Sequence, residues 1–107
     1  MAGYRLGNRA EKDLTNIAVY TLQNFGLRQA RSYRDGLFKT FDTIAEFPLI
    51  GSDQSHIIPF VRRFVYESHS IYYRLKGEDI LILRIFGPGE DPISHLALSG
   101  WRKVNSC

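Results

Sequence analysis

The sequence predicts a single α+β domain in which a short N-terminal strand precedes an antiparallel helical hairpin and a three- to four-stranded, mainly antiparallel sheet. Two observations predict this order. Apolar residues recur at helical spacing through the first half of the chain, and from residue 56 onward they alternate with a period of two. The length of 107 residues favours one domain over residues 1–107, with residues 97–107 as a C-terminal tail.

The first strand and the first helix are predicted at the start of the chain. In the stretch from Ala2 to Leu6, Tyr4 and Leu6 alternate with Gly3 and Arg5, which predicts a strand. Asn8 is the predicted N-cap of a helix over residues 9–25, because Glu11 follows at the spacing of a capping box. Gly26 stands where a helix commonly ends in a left-handed residue.

A second helix is predicted to begin directly after Gly26. Its apolar stripe restarts at Leu27 and continues to about Phe47, where Pro48 stops the helix. Because the link around Gly26 is so short, we expect the two helices to pack as an antiparallel hairpin.

The second half of the chain is predicted to be a sheet. The region from Pro48 to Gln54 is expected to be a turn, and Gly77-Glu78 is expected to be a tight hairpin connection. Alternating residues indicate strands over four stretches: His56 to Phe60, Val61 to Glu67, Ser70 to Leu75 and Asp79 to Phe86.

One face of this sheet has no obvious cover in the sequence. Two helices cover only one face, yet the stretch from Ile80 to Ile85 is apolar on both faces apart from Arg84. An exposed apolar patch of several hundred Å² usually marks an interaction site. We therefore expect the second face to be covered by the C-terminal segment, by a second copy of the chain, or by a different protein.

Composition excludes several classes of function. The formal net charge is +3, without the basic stripe of a nucleic-acid binder, so no direct nucleic-acid partner is predicted. Cys107 is the sole cysteine, and the three histidines lack metal-ligand spacing, so neither a metal nor a cofactor is expected. No signal peptide or membrane span is recognisable, which predicts a cytoplasmic protein without a membrane partner.

Two arginines lie within apolar strands, where an unpaired charge would be costly. Arg63 and Arg84 are predicted either to recognise a phosphate or carboxylate group through their guanidinium forks, or to form ion pairs within the chain. The carboxylates considered for such ion pairs are those of Glu67, Asp79 and Asp91.

The order of several short motifs resembles the ParE branch of the ParE/RelE toxin superfamily of bacterial type II toxin-antitoxin systems. The resemblance spans roughly residues 4–96, and no single motif within it is diagnostic. It is carried by these stretches: Ala10-Glu11-Lys12-Asp13-Leu14 with Ile17 and Tyr20, Phe25-Gly26, Gln29-Ala30 with Tyr33, Phe47-Pro48 with Gly51, Arg62-Arg63-Phe64, Ser68-His69-Ser70-Ile71-Tyr72-Tyr73-Arg74, Ile82-Leu83-Arg84-Ile85, Asp91-Pro92 and His95-Leu96.

This resemblance implies a toxin that inhibits DNA gyrase by protein–protein binding and forms a hetero-oligomer with a cognate ParD-like antitoxin. The C-terminal segment of such an antitoxin wraps the toxin surface. For the antitoxin-binding surface the predicted residues are Arg63, Phe64, Tyr66, Ile80 and Arg84. For the target-binding segment they are Asp91, Pro92, His95, Leu96 and Trp101.

Two alternatives stay open at this stage. The fold of the ParE branch is similar to that of RelE-type, ribosome-dependent mRNA endonucleases, and cleavage here would require Arg63, Arg84, His69 and Tyr73. Gly87 occupies the position after the last strand where ParE-like chains and some of these nucleases carry histidine, so an obvious general acid is missing. The second alternative is an inactive module that has kept only antitoxin binding.

Overall fold

The computed structural model describes residues 3–90, and within them it contains one five-stranded sheet and two helices. The strand order is β1-β5-β4-β3-β2, with β1 parallel to β5 and every other neighbouring pair antiparallel. The predicted α+β class is thereby confirmed. In chain order the elements are β1 (Tyr4–Leu6), α1 (Asn8–Phe25), α2 (Leu27–Glu46), β2 (Ser52–Asp53), β3 (Arg62–Tyr66), β4 (His69–Lys76) and β5 (Asp79–Phe86).

A single glycine joins the two helices. Gly26 has φ 89°, and its N–H donates to the Leu22 carbonyl at 3.0 Å. Its own carbonyl accepts from the Ala30 N–H at 3.0 Å, so one residue ends α1 and begins α2. The predicted hairpin with Gly26 at its centre is confirmed, since a positive φ costs glycine little.

The predicted N-cap at Asn8 is wrong. Asn8 is already the first residue of α1, Gly7 is the N-cap, and no side chain caps this end. The Gly7 N–H donates to the Ile82 carbonyl of β5 at 2.9 Å, and the Gly7 carbonyl accepts from the Glu11 N–H at 3.0 Å. Pairing with β5 therefore continues through Gly7 and places the helix start one residue earlier than the capping pattern indicates.

The main core lies between the helical hairpin and one face of the sheet. Side chains of both helices pack against alternate residues of β4 and β5, as a half-covered sheet requires. Full burial of an isoleucine at such a site stabilises the fold by about 1.5–3 kcal/mol. The buried residues of the main core are Ala10, Leu37, Phe41, Ile44, Ala45, Ile71, Tyr73, Ile80, Ile82 and Ile85.

A second, smaller core covers part of the opposite face. Ile58 and Val61 from the segment between β2 and β3 pack against Tyr72 and Phe86, and Ile57 and Leu83 adjoin them. The sequence predicted that the C-terminal segment, a second copy or a different protein covers this face. None of these three is the β2–β3 connection that covers part of it in the structure. The chain's own connection between β2 and β3 shields Tyr72, which is fully buried.

The predicted strand from His56 to Phe60 is wrong. The N–H groups of Ile57 and Ile58 both donate to the Gln54 carbonyl at 2.9 Å, which makes a turn, and Phe60 has a positive φ of 66°. The apolar residues of this segment have another role, because Ile58 and the following Val61 are buried in the second core. The two-residue strand β2 instead lies inside the stretch that was predicted to be a turn.

Close packing between α2 and β3 depends on Gly36. The Tyr66 ring lies against the Tyr33 ring with a centroid distance of 5.2 Å. A Cβ atom at position 36 would lie 1.8 Å from Tyr66 Oη and 2.6 Å from Tyr66 Cζ. A helix-interior glycine ordinarily lowers stability, so here it is explained by the space that the tyrosine ring occupies.

We expect Gly36→Ala to lower the free energy of unfolding by about 1–2 kcal/mol, because overpacking outweighs the gain of about 1 kcal/mol in helix propensity. The sign should reverse in a Tyr66→Ala background, where the ring is absent and only the propensity gain remains. Chemical denaturation of the four proteins tests this. An equal effect of Gly36→Ala in both backgrounds would contradict the packing argument.

Candidate functional site

Arginines are aligned across the sheet face that points away from the helices. Arg63 of β3 pairs with Tyr72 of β4, which in turn pairs with Arg84 of β5. Directly paired residues share a sheet face, and Tyr72 belongs to the second core, so this row lies opposite the helices. A neighbouring row places Arg74 and Arg5 on either side of Leu81. We call Arg5, Arg63, Arg74 and Arg84 the arginine face.

Arg84 is tied to the first helix by its guanidinium group. Its Nε donates to Asp13 Oδ2 at 2.8 Å and its Nη2 donates to Asp13 Oδ1 at 3.2 Å. Asp13 Oδ2 also accepts from the Ile85 N–H at 2.9 Å. The Arg84 guanidinium carbon lies 4.4 Å from the centre of the Phe86 ring, a cation–π geometry.

The intramolecular partner of Arg84 is therefore none of the three carboxylates considered from the sequence. Asp13 was not considered because 71 residues separate the two side chains. A signal was present, since Asp13 stands among the apolar positions Ala10, Leu14 and Ile17 of the first helix. A carboxylate on the buried side of an amphipathic helix indicates a buried cationic partner.

The predicted antitoxin-binding residues do not share one surface. Ile80 is 1% exposed and belongs to the main core, so its assignment to an exposed surface is wrong. Phe64 and Tyr66 are half-buried and pack against the main core from the helix side of the sheet. Arg63 and Arg84 lie on the opposite side, because side chains alternate along each strand.

The residues that would be needed for mRNA cleavage also do not converge. Tyr73 is fully buried, and its Oη accepts from the Gly51 N–H at 2.9 Å and donates to the Pro48 carbonyl at 2.7 Å. Burial raises the pKa of Tyr73, which disfavours proton release. The Tyr73 hydroxyl thus anchors the loop between α2 and β2, on the face of the sheet opposite Arg63.

His69 lies at a third place. Its Nδ1 is 2.5 Å from Tyr33 Oη, and the two rings contact edge to face at 5.3 Å. Burial lowers the pKa of His69, and the nearby Glu90 carboxylate acts in the opposite direction. His69 is therefore neutral at pH 7 and hydrogen-bonded to α2, away from both arginines of the predicted cleavage site.

An apolar groove runs between the two helices, and the sequence patterns did not predict it. The two helices pack as the predicted hairpin, but their apolar stripes leave a groove of about 200 Å³ between them. Near Gly26 the hairpin also exposes Tyr20, Phe25 and Leu27, which are 61%, 64% and 55% exposed. The residues that line the groove are Leu14, Thr15, Ile17, Ala18, Thr21, Ala30, Tyr33, Arg34, Leu37 and Phe38.

The structure does not describe the predicted target-binding residues, and it allows metal and membrane sites to be searched only within residues 3–90. Asp91, Pro92, His95, Leu96 and Trp101, the predicted target-binding residues, lie beyond residues 3–90. Within residues 3–90, no group of three His, Cys, Asp or Glu side chains is arranged to hold a metal ion. Neither α1 nor α2 is apolar over the length that a membrane crossing requires.

The fold, with a helical hairpin on one face of a mixed sheet and arginines on the other, is that of a known class of small bacterial toxins. The sequence model described as "ParE toxin of type II toxin-antitoxin system, parDE" matches residues 4–92. The chain belongs to this family.

Similar proteins agree with this assignment. The chain is 34% identical over 96 residues to Toxin ParE1 of Caulobacter vibrioides, covering 90% of this chain and 99% of that protein. It is 33% identical over 75 residues to Toxin ParE1 of Mycobacterium tuberculosis, covering 70% and 76% of the two chains. A solved structure described as the chromosomal ParDE TA system from P. aeruginosa has the same fold, with a TM-score of 0.71 and 23% identity, covering 82% of this chain and 97% of that chain.

Removal of the Asp13 charge is expected to destabilise the domain. Asp13→Asn leaves the largely buried Arg84 guanidinium without its counter-ion, and we expect a loss of about 2–3 kcal/mol in the free energy of unfolding. Asp35→Asn is the control, because the Arg34–Asp35 pair is separated by 3.6 Å and largely exposed. That variant should lose less than about 1 kcal/mol. Equal losses in urea denaturation would show that the Asp13 contact is not structural.

Proposed function

We propose that the protein is a toxin that inhibits DNA gyrase by surface complementarity, in the cytoplasm, and that a cognate ParD-like antitoxin neutralises it. The family match over residues 4–92 carries this proposal. The positions of the residues considered for cleavage support a non-enzymatic mechanism, since Tyr73 and Arg84 serve structural contacts. We assign the contact with gyrase to the segment that contains Asp91, Pro92, His95, Leu96 and Trp101.

The antitoxin is proposed to bind both sides of the domain. On the hairpin, the apolar lining of the groove favours an amphipathic helix, because such helices bind by laying their apolar face into a hydrophobic groove. On the sheet, the arginine face favours an acidic segment through its members other than Arg84, which Asp13 already holds, because guanidinium groups recognise carboxylates through paired hydrogen bonds. Among the strand residues of this face the one carboxylate is Asp79, which lies 4.0 Å from the Arg5 side chain.

The first experiment separates an inhibitor from an enzyme. Purified protein incubated with gyrase and relaxed DNA should block supercoiling, and incubation with translating ribosomes should leave the message intact. Cleavage of the message that disappears in Arg63→Ala would overturn the proposal in favour of the endonuclease. No effect in either assay, together with normal cell growth when the antitoxin is absent, would identify an inactive antitoxin-binding module, for which Gly87 is the supporting observation.

The second experiment tests the groove. Ala18 lines the groove and is exposed, so Ala18→Glu should place a charge in the apolar site without disturbing the fold. We expect the dissociation constant for the antitoxin from the adjacent reading frame to rise by about tenfold or more, a loss of about 1.4 kcal/mol or greater. The free energy of unfolding should change by less than about 0.5 kcal/mol.

Asn16→Glu is the matched control for this variant. Asn16 is exposed on the same helix but does not line the groove, so its substitution should leave antitoxin affinity unchanged. Calorimetric titration of the three proteins gives the comparison. Equal affinity of Ala18→Glu and Asn16→Glu would show that the antitoxin binds elsewhere.

A further inference from the structure

His69 lies at a corner where four parts of the chain meet: β4, α2, β3 and the turn after β5. It begins β4, its ring contacts Tyr33 of α2, and its strand partner Tyr66 contacts Tyr33 from the other side. The turn that follows β5 lies against the far side of the imidazole. A side chain at Gly87 would begin only 3.3 Å from His69 Nε2.

The hydrogen bond to Tyr33 fixes which imidazole nitrogen carries the proton. Burial raises the pKa of Tyr33, and hydrogen bonds that its oxygen accepts from Ser68 lower it. Because the Tyr33 oxygen already accepts from Ser68, we assign its O–H as the donor to His69 Nδ1. A neutral imidazole that accepts at Nδ1 carries its hydrogen on Nε2. The Nε2–H therefore faces the turn after β5.

That turn is closed by a carboxylate. The Gly87 N–H donates to Glu90 Oε1 at 2.9 Å, and the Glu90 N–H donates to the Gly87 carbonyl at 3.1 Å. A Cβ atom built at Gly87 would lie 3.3 Å from Glu90 Oε1 and also 3.3 Å from His69 Nε2. One carboxylate oxygen thus closes the turn, and its charge is near enough to the imidazole to raise the pKa of His69.

We propose that His69 is a positioning residue for the turn from Gly87 to Glu90, and that protonation of its imidazole releases this turn by drawing the Glu90 carboxylate away from the Gly87 N–H. This inference rests on the proposed function in one respect. The turn leads directly into residues 91–101, to which we assign the contact with gyrase.

The chemistry of the corner gives the direction of the change. Protonation adds a hydrogen at Nδ1, so the Tyr33 hydroxyl must rotate and accept instead of donating. A half-buried cation then faces Glu90, and a charge-assisted hydrogen bond to it is stronger than the bond from the Gly87 amide. The other ionisable groups at this corner are Tyr66 of β3 and Glu67 of the β3–β4 turn. The charges of both raise the pKa of Tyr33.

The pH window follows from the lowered pKa of His69. In the unfolded chain a histidine binds its proton near pH 6.5, whereas the folded chain binds it at lower pH. Between those two values the unfolded state carries more protons, so the free energy of unfolding decreases as the pH falls. Release of the turn follows protonation of the folded protein, so it should develop around the lower end of that interval and be absent at neutral pH.

Titration of the full-length protein by NMR tests the coupling. The His69 ring and the backbone amides of Gly87 and Glu90 should shift with one common midpoint below about pH 6.5. Tyr33→Phe should raise that midpoint, because it removes the donor that favours the neutral ring, and Glu90→Gln should lower it, because it removes the charge that favours the cation. Glu78→Gln, in the β4–β5 turn at the far end of the β4 strand, is the matched control and should leave the midpoint unchanged.

A second measurement connects the turn to the target. The protein concentration that half-inhibits supercoiling, compared at about pH 7.5 and about pH 6, should be higher at the lower pH, by the factor that the fraction of protonated His69 at that pH predicts. His69→Asn keeps an acceptor for the Tyr33 hydroxyl but does not titrate, so its ratio between the two pH values should be close to one.

The outcomes separate this inference from the function on which it rests. Amides of Gly87 and Glu90 that do not follow His69, or a midpoint that neither Tyr33→Phe nor Glu90→Gln moves, would overturn the positioning role even if gyrase is inhibited. Equal pH ratios for the wild-type protein and His69→Asn would overturn its effect on the target. Coupled titration without gyrase inhibition at any pH would overturn the proposed function and support the positioning role alone.

Discussion

The structure depends on how the outer edge of β5 is closed. β1 pairs with β5 only over Tyr4–Leu6, and the backbone pairing ends where the Gly7 N–H reaches the Ile82 carbonyl. Beyond that point the Asp13 carboxylate takes the place of a strand, since it accepts the Ile85 N–H and holds the Arg84 guanidinium. Buried backbone donors need partners, and a side chain of α1 supplies this one. The same contact fixes the helical hairpin relative to the sheet.

This arrangement divides the molecule into two faces with different chemistry. On one face the hairpin covers the apolar residues of β4 and β5, and its outer side presents an apolar groove. On the other face the connection between β2 and β3 covers Tyr72, and Arg63 and Arg84 lie on either side of Tyr72 in the neighbouring strands. An apolar groove and a basic face are the two features on which the proposal of an amphipathic, acidic antitoxin rests.

Local signals predicted the elements that have local causes. Gly26 and the Gly77 turn were predicted correctly because a positive φ is a property of one residue and its immediate neighbours. The strand predicted from His56 to Phe60 failed for the opposite reason. Ile58 in this stretch and Val61 directly after it are apolar because they pack against Tyr72 of β4 and Phe86 of β5.

The candidate site was predictable in kind but not in arrangement. Arginines in apolar strands indicated ionic contacts, yet Arg84 is paired with Asp13 across 71 residues. Ile80 has the same apolar character as an exposed contact residue and is nevertheless core.

The sequence by itself determined the fold class, the order of the elements and the family, because periodicity and turn residues act over a few positions and family motifs are linear. Tertiary structure alone decided which face each side chain occupies, which charges are paired, and that a groove is left between the helices. Those outcomes arise from contacts between segments distant in sequence. A buried polar group needs a hydrogen-bond partner, and only the folded chain determines which group lies close enough to be that partner.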